Sequence, residues 1–205
     1  MWQNESGQRL ARTVADAVAL ALSNLWLRET LRHQSIRDPL TGLFNRRYLE
    51  ETFERELRRA ARADASIGVV IFDIDHFKHF NDTFGHEAGD LVLKELGPLI
   101  KTHFRGDDIA CRYGGEEFVL VLPGITLEAT RLRAEALREA VKHLELSLRS
   151  QSLGQVSLSL GVAVYPANGQ AAESLIQAAD EALYRAKRDG RDRVVVAQEK
   201  QVLDG

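Results

Sequence analysis

Cysteine is nearly absent: the 205 residues hold one, Cys111. An internal disulfide and a cysteine-built zinc site are therefore both excluded, and a reducing, cytoplasmic setting is expected. An excess of one charge is also missing. The net charge is −3, so no sequence-wide basic field recruits DNA or RNA, and no nucleic-acid partner is expected. Long apolar runs are lacking as well. The most apolar stretch, Val14 to Leu27, is interrupted by Asp16, Ser23 and Asn24 and is shorter than the ~20 residues a membrane helix needs. The opening Met1-Trp2-Gln3-Asn4-Glu5 has neither the basic flank nor the apolar core of a signal peptide. No Gly-x-x-x-x-Gly-Lys-Ser/Thr occurs, which excludes a P-loop. What is present is ordinary for a globular chain, 44% hydrophobic and 28% charged. The length suits one domain of ~150–200 residues plus an appendage.

That appendage is at the N-terminus. Leu10 to about Ile36 holds neither proline nor glycine and is rich in Ala and Leu, so it reads as one helix. Its middle, Ala17 to Leu22, is apolar nearly all round, which predicts packing on more than one side. Val14, Val18, Ala21 and Leu25 give a short heptad pattern. Asp38-Pro39 breaks the helix, because a residue before proline avoids helical angles. Asn45 reads as the N-cap of a helix to about Ala63. Its arginines, Arg55, Arg58, Arg59 and Arg62, form a solvated face. Ile67 to Phe72 is a continuous apolar run of strand length, which predicts burial on both faces. Further helices are expected from Glu87 to His103, Thr126 to about Leu146 and Ala171 to Arg188. Strands are expected at 109–113, 116–122, 156–165 and 193–197. Cys111 lies inside a strand as a core residue. Gly114-Gly115 reads as a two-residue hairpin loop with glycine supplying positive φ. A hairpin among helix-linked strands predicts a mixed α/β (α+β) fold. The domains are then 1–37, 38–197 and a polar tail, 198–205.

The acids carry the chemistry. Asp73 and Asp75 sit at the exit of the buried strand, on one side by period-two geometry, with Ile74 opposite. Glu116 and Glu117 follow the glycines. In a two-residue loop Tyr113 pairs with Glu116. Asp-x-Asp alone favours solvated strand ends. If the hairpin lies next to the first strand, acids from both meet at one edge, where they repel unless a cation joins them. Oxygen ligands suit Mg²⁺, which takes one or two carboxylates plus substrate phosphates.

Tyr113-Gly114-Gly115-Glu116-Glu117-Phe118 resembles the signature of GGDEF-domain diguanylate cyclases, in its Glu variant. Asp38-Pro39-Leu40-Thr41-Gly42-Leu43-Phe44-Asn45-Arg46-Arg47, Asp73-Ile74-Asp75-His76-Phe77-Lys78, Asn81-Asp82-Thr83-Phe84-Gly85-His86, Gly89-Asp90 and Ala182-Leu183-Tyr184-Arg185-Ala186-Lys187 with Gly190-Arg191 agree in order. The resemblance spans about Asp38 to Val196. It implies a nucleotidyl-cyclase-like, palm-like mixed sheet flanked by helices. It also implies the condensation of two GTP, one per protomer of a homodimer, to cyclic di-GMP with release of two pyrophosphates.

By that resemblance Asp73, the carbonyl of Ile74 and Glu116 hold Mg²⁺, with Mn²⁺ the alternative cation. Glu116 also eases deprotonation of the attacking 3′-hydroxyl, with Glu117 beside it. Asn81 and Asp90 match guanine-reading positions. The backbone at Phe77 and Lys78, with Lys187 and Arg191, matches the phosphate-holding part. Arg105 and Asp108 match an Arg-x-x-Asp product-inhibition site, and Ala136 stands where a further inhibitory arginine can occur, with Arg133 and Arg138 near it. His76, His79 and His86 read as structural or exposed. The N-terminal helix resembles the signalling helix that leaves a sensory domain, such as a GAF domain, which this sequence does not include. The competing class is a catalytically silent module that binds GTP or cyclic di-GMP.

Overall fold

The computed structural model describes residues 3–149 and 151–198. The chain divides into two compact units, Met1–Arg37 and Asp38–Gly205. The first is a single helix, α1 (Gln3–Ile36). Its side chains Leu10, Val14, Val18, Leu20 and Leu22 are all more than half exposed. No helix among the described residues is long and apolar enough to cross a membrane. Most of the predicted tail, 199–205, lies outside the described residues.

The second unit runs β1 (Phe44–Asn45), α2 (Arg46–Ala63), β2 (Ile67–Ile74), α3 (Phe77–Phe84), α4 (His86–His103), β3 (Ile109–Arg112), β4 (Glu117–Pro123), α5 (Leu127–Val141), β5 (Ser147–Leu148), β6 (Gln151–Ser152), β7 (Leu158–Tyr165), α6 (Ala172–Arg188) and β8 (Val194–Val196). Asn45 caps α2 as expected: its side chain accepts from the Tyr48 N–H at 3.0 Å. Six strands form one mixed sheet in the order β1-β3-β4-β2-β7-β8. β2 is central and antiparallel to both β4 and β7, and its eight residues are all buried. The continuous apolar run at 67–72 has this cause, because helices cover both faces.

Alternation along β2 sorts the two cores. Ile67, Val69 and Ile71 pack with Leu49, Phe53 and Leu57 of α2 and Leu175, Ala179 and Leu183 of α6. Val70, Phe72 and Ile74 pack with Val92, Leu96 and Ile100 of α4 and Leu137 and Val141 of α5. By parity Asp73 belongs to the α2/α6 face, and α6 carries Lys187 toward it. A Cβ on Gly161 of β7 would stand 2.0 Å from the Ala179 carbonyl oxygen. Only glycine lets α6 seat this closely on the sheet.

One expected helix end is corrected. The helix predicted to about Leu146 stops at Val141, with Lys142 as C-cap. The run Leu144-Glu145-Leu146-Ser147-Leu148 alternates with period two, and it leads into a short β5–β6 hairpin. Leu146 and Leu153 bury themselves in the α4/α5 core from that hairpin.

Candidate active site

β2 delivers Asp73 to the sheet edge with its carboxylate almost enclosed. Lys187 from the last turn of α6 sits 2.9 Å from Asp73 Oδ2. In the sheet register Asp73 lies opposite Glu117 of β4. Burial is the main reason that the Asp73 carboxyl is pushed up to about 6; Lys187 pulls it down, and the charges of Glu116 and Glu117 push it up. The expected meeting of acids at one edge is therefore present. The candidate ligand atoms here are all oxygens, and the carboxylates crowd one another. That donor set fits a hard divalent cation shared with phosphate oxygens. Among the described residues no group of three or more histidine, cysteine, aspartate or glutamate side chains is placed to hold a metal ion.

The enclosed charge has a stability consequence. The folded chain holds the Asp73 proton more tightly than the unfolded chain, whose carboxyl titrates near 3.8. Ionised Asp73 thus opposes folding. The penalty is absent below the unfolded value, grows as pH rises from 3.8 to about 6, and is complete above that. In the absence of divalent cations, Asp73→Asn is expected to stabilise the chain by about 1–3 kcal/mol at pH 7.5. The gain should vanish at pH 4. Urea unfolding at the two pH values checks this, and an equal gain at both overturns the assignment of the penalty to Asp73.

The hairpin carrying the signature differs from its expected form. Tyr113 donates its N–H to the Glu117 carbonyl at 2.8 Å, and Gly114 donates to the same oxygen at 3.2 Å. Tyr113 therefore faces Glu117, not Glu116, and the loop holds three residues, Gly114, Gly115 and Glu116. Neither glycine has positive φ. The reason is a side chain from outside the loop. Arg112 donates to the Gly115 carbonyl from Nη2 at 2.7 Å and Nε at 3.1 Å, replacing a hairpin hydrogen bond. Its Nη1 lies 3.1 Å from Asp38 Oδ2. Asp38 also takes the N–H and hydroxyl of Thr41, each at 2.8 Å. The Asp-Pro joint after α1 is thus tied to the loop that holds Glu116. A Cβ on Gly115 would meet nothing within 4 Å, so this face of the loop is open, whereas one on Gly114 would stand 3.0 Å from Glu117 Oε2.

Next to these acids, β2 passes into α3 through Asp75 and His76. His76 stands at the N-cap with φ 57 and offers no side-chain cap. Phe80 makes the first helical bond, to the His76 carbonyl. The N–H groups of Phe77 and Lys78 precede it, and such unclaimed helix donors suit phosphate oxygens. Asn81 lies inside α3 rather than capping a helix. Its Oδ1 is buried without a hydrogen-bond partner. A Cβ on Gly89 of α4 would stand 1.9 Å from that oxygen. Asp90 follows and is exposed. Gly89 thus abuts Asn81, with Asp90 next in the chain, while Lys187 reaches Asp73 and Arg191 follows α6 in a turn. The sequence treated Asp75 as a partner of Asp73. The structure directs its carboxylate elsewhere, to Ser157, Ser159 and the Asp192 N–H.

Arg105 and Asp108 lie apart, on the loop between α4 and β3. Asp108 Oδ2 accepts from the backbone N–H of Arg105 and from Arg133 Nη1, both at 2.7 Å. The Arg133 guanidinium also lies 5.6 Å from the centre of the Phe104 ring. Arg133 is therefore the α5 arginine that joins this loop. Arg138 turns away to Glu135 and Asp192. His76, His79 and His86 are exposed. Arg112 and the ties of Asp75 had no motif to mark them.

An acid-edged mixed sheet of nucleotidyl-cyclase palm type, with a helix N-terminus beside the acids, defines the class. The chain belongs to the family described as diguanylate cyclase, GGDEF domain, matched over residues 35–193. It is 43% identical over 169 residues to the diguanylate cyclase DgcP of Pseudomonas aeruginosa. That alignment covers 82% of this chain and 25% of the relative, so the chain spans about a quarter of that protein. The coiled coil and GGDEF domain of DgcB from Caulobacter crescentus, solved in complex with c-di-GMP, superimposes with a TM-score of 0.83 at 33% identity. It covers 92% of this chain and 99% of the other. The active GGEEF domain of a diguanylate cyclase from Vibrio cholerae gives 0.70 at 31% identity, covering 76% and 98%.

Proposed function

We propose that this chain condenses two GTP molecules into cyclic di-GMP and two pyrophosphates. The observation that carries the reading is the convergence on Asp73 of Lys187, Glu116 and Glu117, one turn of chain from the open N-terminus of α3. Asp73, the Ile74 carbonyl and Glu116 would hold Mg²⁺ or Mn²⁺, which supplies charge neutralisation at the reacting phosphate. The residues do the rest. Phe77 and Lys78 N–H groups, Lys187 and Arg191 bind the triphosphate. Asn81 and Asp90 orient guanine. Glu116 receives the 3′-hydroxyl proton, with Glu117 adding negative potential beside it.

One half-site holds one GTP, so the symmetric reaction needs two protomers. The exposed apolar side chains Leu10, Val14 and Val18, spaced by four on α1, support pairing of that helix with a second copy. Such pairing raises the effective concentration of facing half-sites. A sensory domain beyond residues 1–37 would act through the same helix. Incubation with GTP and Mg²⁺, with nucleotides separated by chromatography, tests the function. Cyclic di-GMP is expected; GTP bound but unchanged would assign a silent binding module instead.

Product inhibition is proposed at Arg105 and Asp108. The exposed Arg105 forks onto phosphate or guanine's acceptor edge, and Asp108 accepts guanine N–H groups. Arg133 already shares Asp108, so it either hands that carboxylate to the product or joins it as a further cation. Arg105→Ala is expected to raise the half-inhibiting concentration of added cyclic di-GMP by about tenfold or more. Progress curves with product titrated in measure it. Equal inhibition of wild type and variant rejects the site.

A further inference from the structure

The turn after α6 is held in a conformation its residues do not favour. Gly190, Arg191 and Asp192 have φ of 114, 61 and 44. Two consecutive non-glycine residues in left-handed space persist only where surrounding contacts impose it. Here contacts act from two sides. From the sheet, Asp75 Oδ2 accepts the Asp192 N–H at 3.1 Å. Asp75 is itself fixed, since Ser159 donates to Oδ1 at 2.6 Å and Ser157 to Oδ2 at 2.7 Å. From α5, Arg138 Nη1 donates to Asp192 Oδ1 at 2.6 Å, and Lys142 Nζ lies 2.7 Å from Oδ2. Arg138 is anchored in turn by Glu135 at 2.7 Å. Asp192 is thus gripped through its backbone and its carboxylate. Each carboxylate oxygen of Asp75 and of Asp192 is engaged by these contacts. Their shared product is the path of the chain at Arg191.

We propose that Asp75, Asp192 and Arg138 form a clamp of positioning residues that sets the 190–192 turn and so aims Arg191 at the GTP triphosphate. The proposal rests on the cyclase reading for the role of Arg191. The clamp also links two regions: Asp75 follows the cation-binding pair Asp73 and Ile74, and Arg138 lies on α5, the helix that sends Arg133 to the Arg-x-x-Asp loop. A fixed arginine loses less freedom when it binds phosphate, so the clamp acts on substrate affinity more than on the chemical step.

Asp192→Gly separates positioning from folding. Glycine adopts left-handed φ freely, so the turn stays accessible while the carboxylate held by α5 is gone. KM for GTP is expected to rise by about tenfold, with kcat falling less than about threefold. Asp192→Asn keeps an acceptor and tolerates the same φ, and should recover most of the affinity. In an Arg191→Ala background Asp192→Gly should add less than about twofold, because the group being aimed is gone. A KM within about twofold of wild type for Asp192→Gly, or an undiminished effect in the Arg191→Ala background, overturns the clamp. Calorimetric titration with GTP keeps the two readings apart. Failure of the cyclase reading appears as GTP binding without product, and the clamp is then judged by whether Asp192→Gly weakens that binding. Failure of the clamp appears as unchanged affinity in a chain that still makes cyclic di-GMP.

Discussion

Glu116→Gln is expected to lower turnover of GTP by about a thousandfold or more with the fold intact. The side chain stands on the three-residue loop, half-exposed, and accepts no hydrogen bond among those found in the described residues. Its charge acts only through space, as one of the two that push Asp73 up. Glutamine keeps the shape and one oxygen but removes the charge, so nothing in the core is disturbed. On the proposed reading, what is lost is a ligand for the cation and a receiver for the 3′-hydroxyl proton. Phosphoryl-group chemistry depends on charge neutralisation and in-line placement more than on a covalent nucleophile, so a missing carboxylate weighs heavily. Initial rates of cyclic di-GMP formation, with circular dichroism as the folding control, measure it. Product formation within about tenfold of wild type by a folded variant sinks the assignment of Glu116.

Much of this arrangement was legible in the sequence where local pattern and chemistry coincide. Ile67 to Phe72 reads as a doubly buried strand because the run is apolar throughout, of strand length and rich in β-branched residues. Asn45 before an amphipathic run announces a helix start. The acids and glycines read as a site because their spacing recurs in a known family. Contacts between residues far apart in the chain were not legible. Arg112 reaches Asp38, far back in the chain, while also taking the Gly115 carbonyl three residues on, and no local propensity encodes that shared use of one guanidinium. The loop length, three residues against an expected two, follows from that contact. Asp75 illustrates the same limit: period-two geometry groups it with Asp73, but past the strand end Ser157, Ser159 of β7 and the Asp192 N–H of the 190–192 turn claim it. The β5–β6 hairpin was hidden for a different reason. Leu144 to Leu148 fits a strand period, but it continues from a strong helix pattern without a breaker.

Selectivity for guanine is the second large effect expected. Asn81 Oδ1 is buried and unpaired, a costly state for a polar atom unless a ligand completes it. Asp90 lies one residue past Gly89, the point of closest approach to Asn81. An amide and a carboxylate together match guanine's Watson–Crick edge, which mixes an acceptor with N–H donors. Adenine leaves these groups unpaired, so discrimination of about 10⁴-fold in kcat/KM for GTP over ATP is expected. Gly89→Ala tests the pocket without replacing a reading group. Alanine favours the helix, but its Cβ would stand 1.9 Å from Asn81 Oδ1 and 3.1 Å from Phe77 Cζ. Asn81 is the movable partner and must swing aside. The variant should therefore fold at least as well as wild type, yet lose about tenfold or more in GTP affinity. Thermal unfolding and GTP titration on the same preparation give both numbers. Comparable turnover of ATP by the wild type, or unchanged GTP affinity in Gly89→Ala, rejects Asn81 as the guanine reader.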